Sequence, residues 1–311
     1  MRFPDFFYFI MQSIEISASP CYNYIAIYIF RSIELIKAIQ IQHDRQMEDA
    51  LRLVKEAGFE HVSIGFGSSR VFHGDGWEDE MLRIRAILDG LGLRCALTHL
   101  PYHNLTVSSE ISDFEMDEAI KRAIRAAAML GADRTVMHTR TNYPAKATVD
   151  KAQSLKGNIS LIKSLLPTAR EAGIILTIEN LPKFERYPLY PHTTEDLLEL
   201  FCEINDPMLG ICWDFGHGLM SDLDQEESLR KIGKNLKATH IHDNFKNDDQ
   251  HLIPGIGICN WKSVMPILKE IGYEGPLMLE LVYPDDSTLS AFLKHSFASI
   301  ERLQALIEGK I

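Results

Sequence analysis

The sequence lacks the features that mark membrane, disulfide-rich or strongly nucleic-acid-binding proteins. No apolar run reaches the roughly 18 residues that a membrane-spanning helix needs. The five cysteines are odd in number, far apart and without a C-x-x-C pair. This predicts reduced thiols in a cytoplasmic protein rather than a disulfide framework or a zinc knuckle. Lys and Arg total 32 against 43 Asp and Glu, a formal charge of −11, and we therefore expect no nucleic-acid or membrane partner.

Two further absences bear on the fold. No Gly-rich dinucleotide-binding fingerprint follows any predicted strand, which disfavours a doubly wound open sheet. No Ser/Pro-rich linker divides the 311 residues. Apolar residues make up 46% and charged residues 24% of the chain, close to globular averages. The composition therefore predicts one folded domain rather than a disordered or fibrous chain.

One unit of sequence recurs along the chain. An amphipathic stretch ends at a glycine, and a short β-branched, apolar run follows a few residues later. A glycine just past a helix readily takes the left-handed conformation, and a nearly continuous apolar run is typical of a strand buried on both faces. Alternation of such units predicts a parallel sheet. The glycines are Gly58, Gly92, Gly131, Gly173 and Gly272.

Seven strands can be placed from these units and two similar apolar runs. An eighth must lie near the N-terminus, at residues 14–19 or 24–30, and the sequence does not decide between the two. Eight strand–helix units in roughly 250–300 residues fit a closed (β/α)₈ TIM barrel, α/β in class and a single domain. We assign residues 1–45 to an N-terminal segment with strand 1, and residues 46–311 to the rest of the barrel. The seven strands are predicted at residues 60–66, 93–99, 134–139, 174–179, 209–214, 236–242 and 276–281.

Ionisable side chains stand at the same end of six predicted strands. In four of them the first such residue follows the preceding glycine by six to eight positions, so these groups lie at similar height. A single polar residue at a strand end is often only a cap or a hydrogen-bonded loop group, but six together at the C-terminal rim of a barrel indicate an active site. They are His99, His138, Glu179, Asp214 with His217, His240 with His242 and Asp243, and Glu280.

Carboxylates converging on a closed barrel mouth would repel one another. The cations nearby in sequence are few: Arg140, Lys183 and Lys246. A divalent metal ion would compensate the negative charge, and a set of oxygen and imidazole ligands suits Mn²⁺, Mg²⁺, Co²⁺ or Zn²⁺. We therefore expect one divalent metal ion as the cofactor.

Seven short motifs resemble those of the xylose-isomerase-like TIM-barrel superfamily. This group holds sugar and sugar-phosphate isomerases and epimerases, together with AP endonuclease family 2 enzymes such as endonuclease IV. The motifs occur in the family's order, about one per strand–helix unit, between roughly residues 60 and 285. They read LTHLPYHNL, VMHTR, LTIENLP, GICWDFGHG, ATHIHDN, DDQHLIPGIG and LMLELVYP.

The resemblance implies a ligand set. In the isomerases and epimerases of this superfamily, successive strands supply Glu, Asp, His and Glu to one divalent ion. The family's H-x-x-D-N motif selects His240 rather than His242, although His242 would point to the same side of the barrel. The implied ligands are Glu179, Asp214, His240 and Glu280.

The same resemblance implies a reaction. A carbon next to a carbonyl gives up its proton when an electrophile stabilises the enediolate, and a divalent ion can act as that Lewis acid. Glu179 and Glu280 are then also the acid/base pair, unless both only bind the metal. We predict a metal-dependent isomerase or epimerase of sugars, sugar phosphates or related polyol ketones. The side chains expected to bind the small-molecule sugar are His99, Tyr102, His103, His138, His217 and His251.

Two other activities stay open. Endonuclease IV holds three zinc ions with nine ligands, and the chain has a counterpart at each position, with Asp249 and His251 as the extra metal ligands. The acidic charge and the lack of a clustered Lys/Arg loop disfavour this nuclease. An inosose-type dehydratase shares the metal-assisted proton removal and then expels a β-hydroxyl, and the sequence does not separate it from an isomerase.

The loops after strands 7 and 8 bear on whether the substrate carries a phosphate. A phosphate site in such barrels usually comes from the loops after strands 7 and 8. Here only Lys246 lies near the P-G-I-G turn, and Ile256 stands where the family usually has an acidic residue. This favours an unphosphorylated sugar or an inositol-like compound. Dimers and tetramers are common in the family, so a homo-oligomer stays open.

Overall fold

A computed structural model describes residues 34–44, 46–67, 70–102, 113–141, 149–185, 188–284 and 288–311. Eight parallel strands close into a barrel in sequence order, which confirms the predicted TIM barrel. The last strand pairs with the first, so the sheet has no free edge. The strands are β1 Lys37–Gln42, β2 His61–Gly65, β3 Arg94–His99, β4 Arg134–Met137, β5 Ile175–Glu179, β6 Leu209–Asp214, β7 Leu236–Ile241 and β8 Leu277–Leu279.

Helices follow the strands and cover the outside of the barrel. The five predicted glycines all have positive φ, between 64° and 111°, as expected of residues that end helices. No helix of the described segments is both long and apolar enough to cross a membrane. The helices are α1 Met47–Ala57, α2 Trp77–Leu91, α3 Asp113–Leu130, α4 Lys151–Ala172, α5 Thr194–Ile204, α6 Phe215–Met220, α7 Gln225–Ile232, α8 Trp261–Glu270 and α9 Leu289–Glu308.

The position of β1 differs from the sequence-based prediction. The prediction of residues 14–19 or 24–30 was wrong: Lys37–Gln42 pairs with both β2 and β8, and the two earlier segments lie outside the described residues. The strand was missed because its sequence, KAIQIQ, alternates apolar and polar residues instead of forming a continuous apolar run. Its outward Ile39 packs in the core, while the next residue, Gln40, hydrogen-bonds Glu280.

A small apolar layer fills the middle of the barrel and supports the polar rim above it. Its side chains are all fully buried, and burial of each of the larger ones, Leu97, Val136 and Met278, stabilises the fold by about 1.5–3 kcal/mol. Because strand residues alternate between the two faces, the side chain two positions further along each strand also points inward. The layer therefore positions the ionisable groups at the C-terminal end. It consists of Ala38, Leu97, Val136, Cys212, Ala238 and Met278.

Candidate active site

Four side chains converge where β5 to β8 end. Glu179, Asp214 and His240 are fully buried, and Glu280 is largely buried. Each offers one atom, and these atoms all lie within 4.8 Å of one another. The Nδ1 atom of His240 lies 2.8 Å from Glu179 Oε1 and 3.0 Å from Glu280 Oε2. The structure thus brings together the four residues predicted to bind metal, and their role as ligands stays a prediction.

The charges of this cluster depend on His240. Burial raises the pKa of Glu179 and Glu280, but the positive charge of His240, together with hydrogen bonds and charges of the neighbouring histidines, outweighs burial and holds both pKa values below their ordinary range. Burial lowers the pKa of His240, whereas Cys212 and the two glutamates raise it, and it ends well above its usual value. In the metal-free protein the imidazolium therefore partly neutralises the carboxylates.

The chemistry of the donor set fits a divalent cation. Three carboxylates and one imidazole are ligands that Mn²⁺, Co²⁺ and Zn²⁺ accept, and carboxylate oxygens also suit Mg²⁺. Within the described chain, the buried atoms Glu179 Oε2 and His240 Nε2 make no hydrogen bond. Buried polar atoms without partners are costly, so a ligand that engages Glu179 Oε2 would relieve part of this cost.

Asp214 is held in place by its neighbours. Its Oδ1 accepts the backbone N–H of His217 at 2.6 Å, which caps α6. The side chain of Asn180 brackets the Asp214 backbone, donating to its carbonyl at 2.9 Å and accepting its N–H at 2.7 Å. His217 Nδ1 in turn lies 2.9 Å from the Asn180 carbonyl oxygen. The sequence reasoning missed Asn180, although it follows Glu179 directly in the I-E-N motif.

Gln40 is a second residue that the sequence reasoning missed. Its side-chain amide donates a 2.7 Å hydrogen bond to Glu280 Oε1, and its own oxygen accepts a 3.4 Å bond from the Ser63 hydroxyl. Gln40 thereby fixes one oxygen of Glu280 and leaves the other directed at His240. No signal pointed to it, because β1 was expected elsewhere.

Three of the predicted substrate-binding residues form an aromatic wall beside Glu179. The ring of Tyr102 lies 4.3 Å from that of His138 and 5.4 Å from that of His99. His138 Nε2 is 3.2 Å and His99 Nε2 3.6 Å from Glu179 Oε2. Burial lowers the pKa of His138 and raises that of Tyr102 to about 12. Both side chains are therefore neutral near pH 7 and can bond hydroxyl groups. His103 lies outside the described residues.

A second group of donors lies beside the first. Asp249 Oδ2 is 3.3 Å from His217 Nε2 and 3.2 Å from His251 Nε2. Despite burial, the hydrogen bond to Asp249 raises the pKa of His251 to about 9. His242 also belongs to this group and contacts Asp214, at 3.1 Å. The proposed extra ligands Asp249 and His251 thus come together with His217 rather than with Glu179.

One buried carboxylate organises the loop that carries Asp249 and His251. Asp243, fully buried at the end of β7, pairs through its backbone with Leu252 in both directions, at 2.8 and 2.9 Å. The loop between β7 and α8 is therefore anchored at one point. The Asp243 side chain accepts four N–H groups at 2.8–3.0 Å, from Asn244, Gly255, Cys259 and the indole of Trp261.

Comparisons with known proteins agree with this architecture. The family model described as "Xylose isomerase-like TIM barrel" matches residues 51–303. Among curated proteins, MJ1311 of Methanocaldococcus jannaschii, which has no assigned function, is 34% identical over 165 residues, 52% of this chain and 55% of that protein. The fructoselysine 3-epimerase of Shigella flexneri is 26% identical over 275 residues, 84% of this chain and 93% of that enzyme.

A solved structure supports the fold. It is titled "Crystal structure of D-tagatose 3-epimerase-like protein" and superposes with a TM-score of 0.70 over 88% of this chain and 98% of that chain, at 22% sequence identity.

Proposed function

Because the chain belongs to the xylose isomerase-like TIM-barrel family, we propose that it is a metal-dependent epimerase acting at carbon 3 of a 2-ketose. The observation that carries the proposal is the pair Glu179 and Glu280, which approach His240 Nδ1 at 2.8 and 3.0 Å. The relative named fructoselysine 3-epimerase supports the position of the reacting carbon.

The metal would be held by the four converging residues. When bound, a divalent ion would polarise the ketose carbonyl and make the neighbouring proton more acidic. Asp214 is tied to the N-terminus of α6 and to Asn180, and Gln40 holds Glu280. These contacts orient the carboxylates before any ion or sugar arrives. The ligands would be Glu179, Asp214, His240 and Glu280.

Epimerisation needs one group to remove a proton from one face of the carbon and another to return it on the opposite face. Glu179 stands at the end of β5 and Glu280 just after β8, so the two carboxylates reach the cluster from different sides. Their lowered pKa values keep both ionised and able to accept a proton. We propose that either glutamate removes the proton, depending on which epimer is bound, and that the other, after taking up a proton from solvent, returns that proton to the opposite face of the carbon.

The substrate proposed is an unphosphorylated ketose. Two of the cations that the sequence brings near the mouth already face carboxylates, since Lys246 pairs with Asp222 and Arg140 with Asp117. Neutral imidazole and phenol groups line the approach to Glu179 instead, at His138 and Tyr102. Such groups bond sugar hydroxyls without requiring charge on the ligand.

Metal depletion and reconstitution test this function. Protein stripped by a chelator is incubated with a panel of ketohexoses, before and after addition of Mn²⁺, Co²⁺ or Mg²⁺, and the products are separated by chromatography. We expect the carbon-3 epimer of at least one ketose only after an ion is restored, with one ion per chain by elemental analysis. Turnover unaffected by chelation, or no product from any sugar, would contradict the proposal.

A second candidate is a phosphodiesterase of the endonuclease IV type, and the group around Asp249 is the observation that favours it. That group and the four-residue cluster together place donors for more than one ion within a short distance. The net charge of −11 opposes DNA binding. We expect no metal-dependent incision of an abasic-site duplex at low enzyme concentration. Incision that Glu179→Gln abolishes, with three zinc ions per chain, would favour the nuclease.

We expect Gln40→Ala to lower kcat by about 10–100-fold, because partners that orient a metal-binding carboxylate typically contribute that much. Without the amide, Glu280 loses the 2.7 Å hydrogen bond that fixes its orientation. The control is Gln153→Ala, which removes an exposed glutamine from the first turn of α4. Kinetics on the active ketose check this, and equal kcat values for the two variants would show that Gln40 has no such role.

Divalent-ion affinity is expected to rise with pH. The pKa of His240 lies well above its ordinary value, so the metal-free protein carries a proton that must leave before Nδ1 can bind an ion. Raising the pH toward that pKa removes the competing proton. Affinity should then increase by about tenfold per pH unit for each proton displaced. Mn²⁺ titrations between about pH 6 and 8 measure this, and an affinity independent of pH would contradict it.

A further inference from the structure

We propose that His242, in a space that Gly216 leaves open, is a positioning residue for the metal-binding carboxylate of Asp214. The proposal rests on the metal centre of the proposed function and adds a residue outside its ligand set. His242 is fully buried, so it acts through Asp214 rather than by touching a substrate.

The contact between the two side chains is close and symmetric. His242 Nε2 lies 3.1 Å from Asp214 Oδ2 and 3.1 Å from Oδ1. A ring nitrogen facing two carboxylate oxygens must carry the proton, so Nε2–H donates. Together with the backbone N–H of His217 on Oδ1, this bond fixes the carboxylate plane. The Oδ2 atom then lies on the side of His240, 3.9 Å from its Nδ1.

The orientation of the His242 ring is itself held. The ring of His251 stacks on it, with centroids 3.9 Å apart and planes inclined by 15°. The other ring nitrogen, Nδ1, is buried and has no hydrogen-bond partner among the residues that the structure describes. The shortest polar contacts of this side chain are therefore those of Nε2 with Asp214 at 3.1 Å, while Asp249 Oδ1 lies further from the same nitrogen, at 3.7 Å.

Gly216 is required for steric reasons. A Cβ atom built on Gly216 would lie 1.9 Å from Cε1 and 2.4 Å from Nδ1 of His242, far closer than real atoms approach. Helix α6 cannot move away from His242 without cost, because the Gly216 carbonyl accepts a 3.0 Å hydrogen bond from the Asn244 side chain. The imidazole and the glycine therefore form a coupled pair: any larger residue at position 216 must displace the ring.

The pair predicts a specific pattern in a double-mutant cycle. His242→Ala removes the donor to Asp214, and Gly216→Ala displaces the same donor, so each single change should weaken Mn²⁺ binding by about 10–100-fold. In the double variant the new methyl group occupies the space that the ring vacates. We expect its Mn²⁺ affinity and its metal-free melting temperature to equal those of His242→Ala.

Conservative replacement separates positioning from a packing role. His242→Gln keeps an amide N–H near the place of Nε2–H, and should recover Mn²⁺ affinity to within about threefold of the wild type. His295→Ala, an exposed change on α9, is the control. Binding is measured with Mn²⁺ alone, by the paramagnetic resonance signal of free Mn²⁺, and unfolding with the metal-free proteins.

The outcomes are distinct. Loss of affinity in both single variants, no further loss in the double variant and recovery in the Gln variant support the pair. Wild-type affinity in His242→Ala, or effects of the two single changes that add, overturns it while leaving the metal centre intact. A wild-type protein that binds no Mn²⁺ overturns both the pair and the metal centre. Failure of the sugar assays alone affects only the proposed function.

Discussion

Replacing Glu280 by glutamine is expected to lower epimerase turnover by about 10²–10⁴-fold while the divalent ion stays bound. Glutamine keeps an oxygen that can bind the ion, but it has no carboxylate to take up a proton. The same loss is expected for Glu179→Gln, because each epimer needs both a base and an acid. The two effects are measured as kcat from both epimers, with elemental analysis of each variant.

The control for these substitutions is Glu274→Gln, since Glu274 is exposed before β8, at the opposite end of the barrel. It should leave kcat and metal content unchanged. Asp214→Ala should instead lose the ion first and activity as a consequence. If both glutamine variants retained full turnover with metal bound, the two glutamates would be ligands only, and another group would transfer the proton.

Replacing Asp243 by alanine is expected to lower the free energy of unfolding by about 3–5 kcal/mol. Four N–H groups lose their acceptor at once, and the two buried donors, on Asn244 and Trp261, each cost about 1–3 kcal/mol if they are left unsatisfied. Loss of this anchor also frees the loop that carries Asp249 and His251. Denaturant unfolding of the metal-free protein, followed by circular dichroism, measures the change.

The control comes from the same loop. Asp248 is exposed, and Asp248→Ala should change the unfolding free energy by less than about 0.5 kcal/mol. The unfolding free energy of Asp243→Asn should lie between those of the two alanine variants. Asparagine keeps one acceptor oxygen, but its NH₂ group replaces the other oxygen and faces the N–H donors. Equal stability of the Asp243→Ala and Asp248→Ala proteins would show that the four hydrogen bonds do not anchor the loop.

Most of the barrel could be predicted because its strands are buried on both faces. A parallel strand covered by helices has a short apolar run as its sequence. A glycine with positive φ ends the helix that precedes the strand. The apolar runs located β2 to β8 within a few residues, and a glycine preceded five of these seven strands. They also placed Glu179 and Glu280 at one rim, since strand ends in a barrel share a height.

Strand β1 could not be found in this way because it departs from that pattern. Gln40 points inward from β1 and hydrogen-bonds Glu280, so the strand alternates polar and apolar residues. The run at residues 24–30, YIAIYIF, is longer and continuously apolar, and it therefore matches the pattern of a strand buried on both faces better than KAIQIQ does. The polar residues of β1, Gln40 among them, thus made this strand hard to recognise as an apolar run.

The contacts that orient the site could not be read from the sequence for a different reason. The hydrogen bond from His242 to Asp214 requires α6 to lie close to the end of β7. Only the distance between Gly216 and the His242 ring shows that a side chain at position 216 would displace this ring. Asn180 and Asp243 act through the backbone of other segments. No local pattern reports such long-range pairings.

The most direct test of the account is deuterium entry during turnover. The metal-loaded protein is incubated in D₂O with the active ketose, and both epimers are followed by NMR. Proton transfer by the two glutamates predicts solvent deuterium at carbon 3 of the product, formed together with epimerisation and abolished by Glu179→Gln and by Glu280→Gln. Epimerisation that leaves carbon 3 fully protonated would contradict this mechanism and point to hydride transfer.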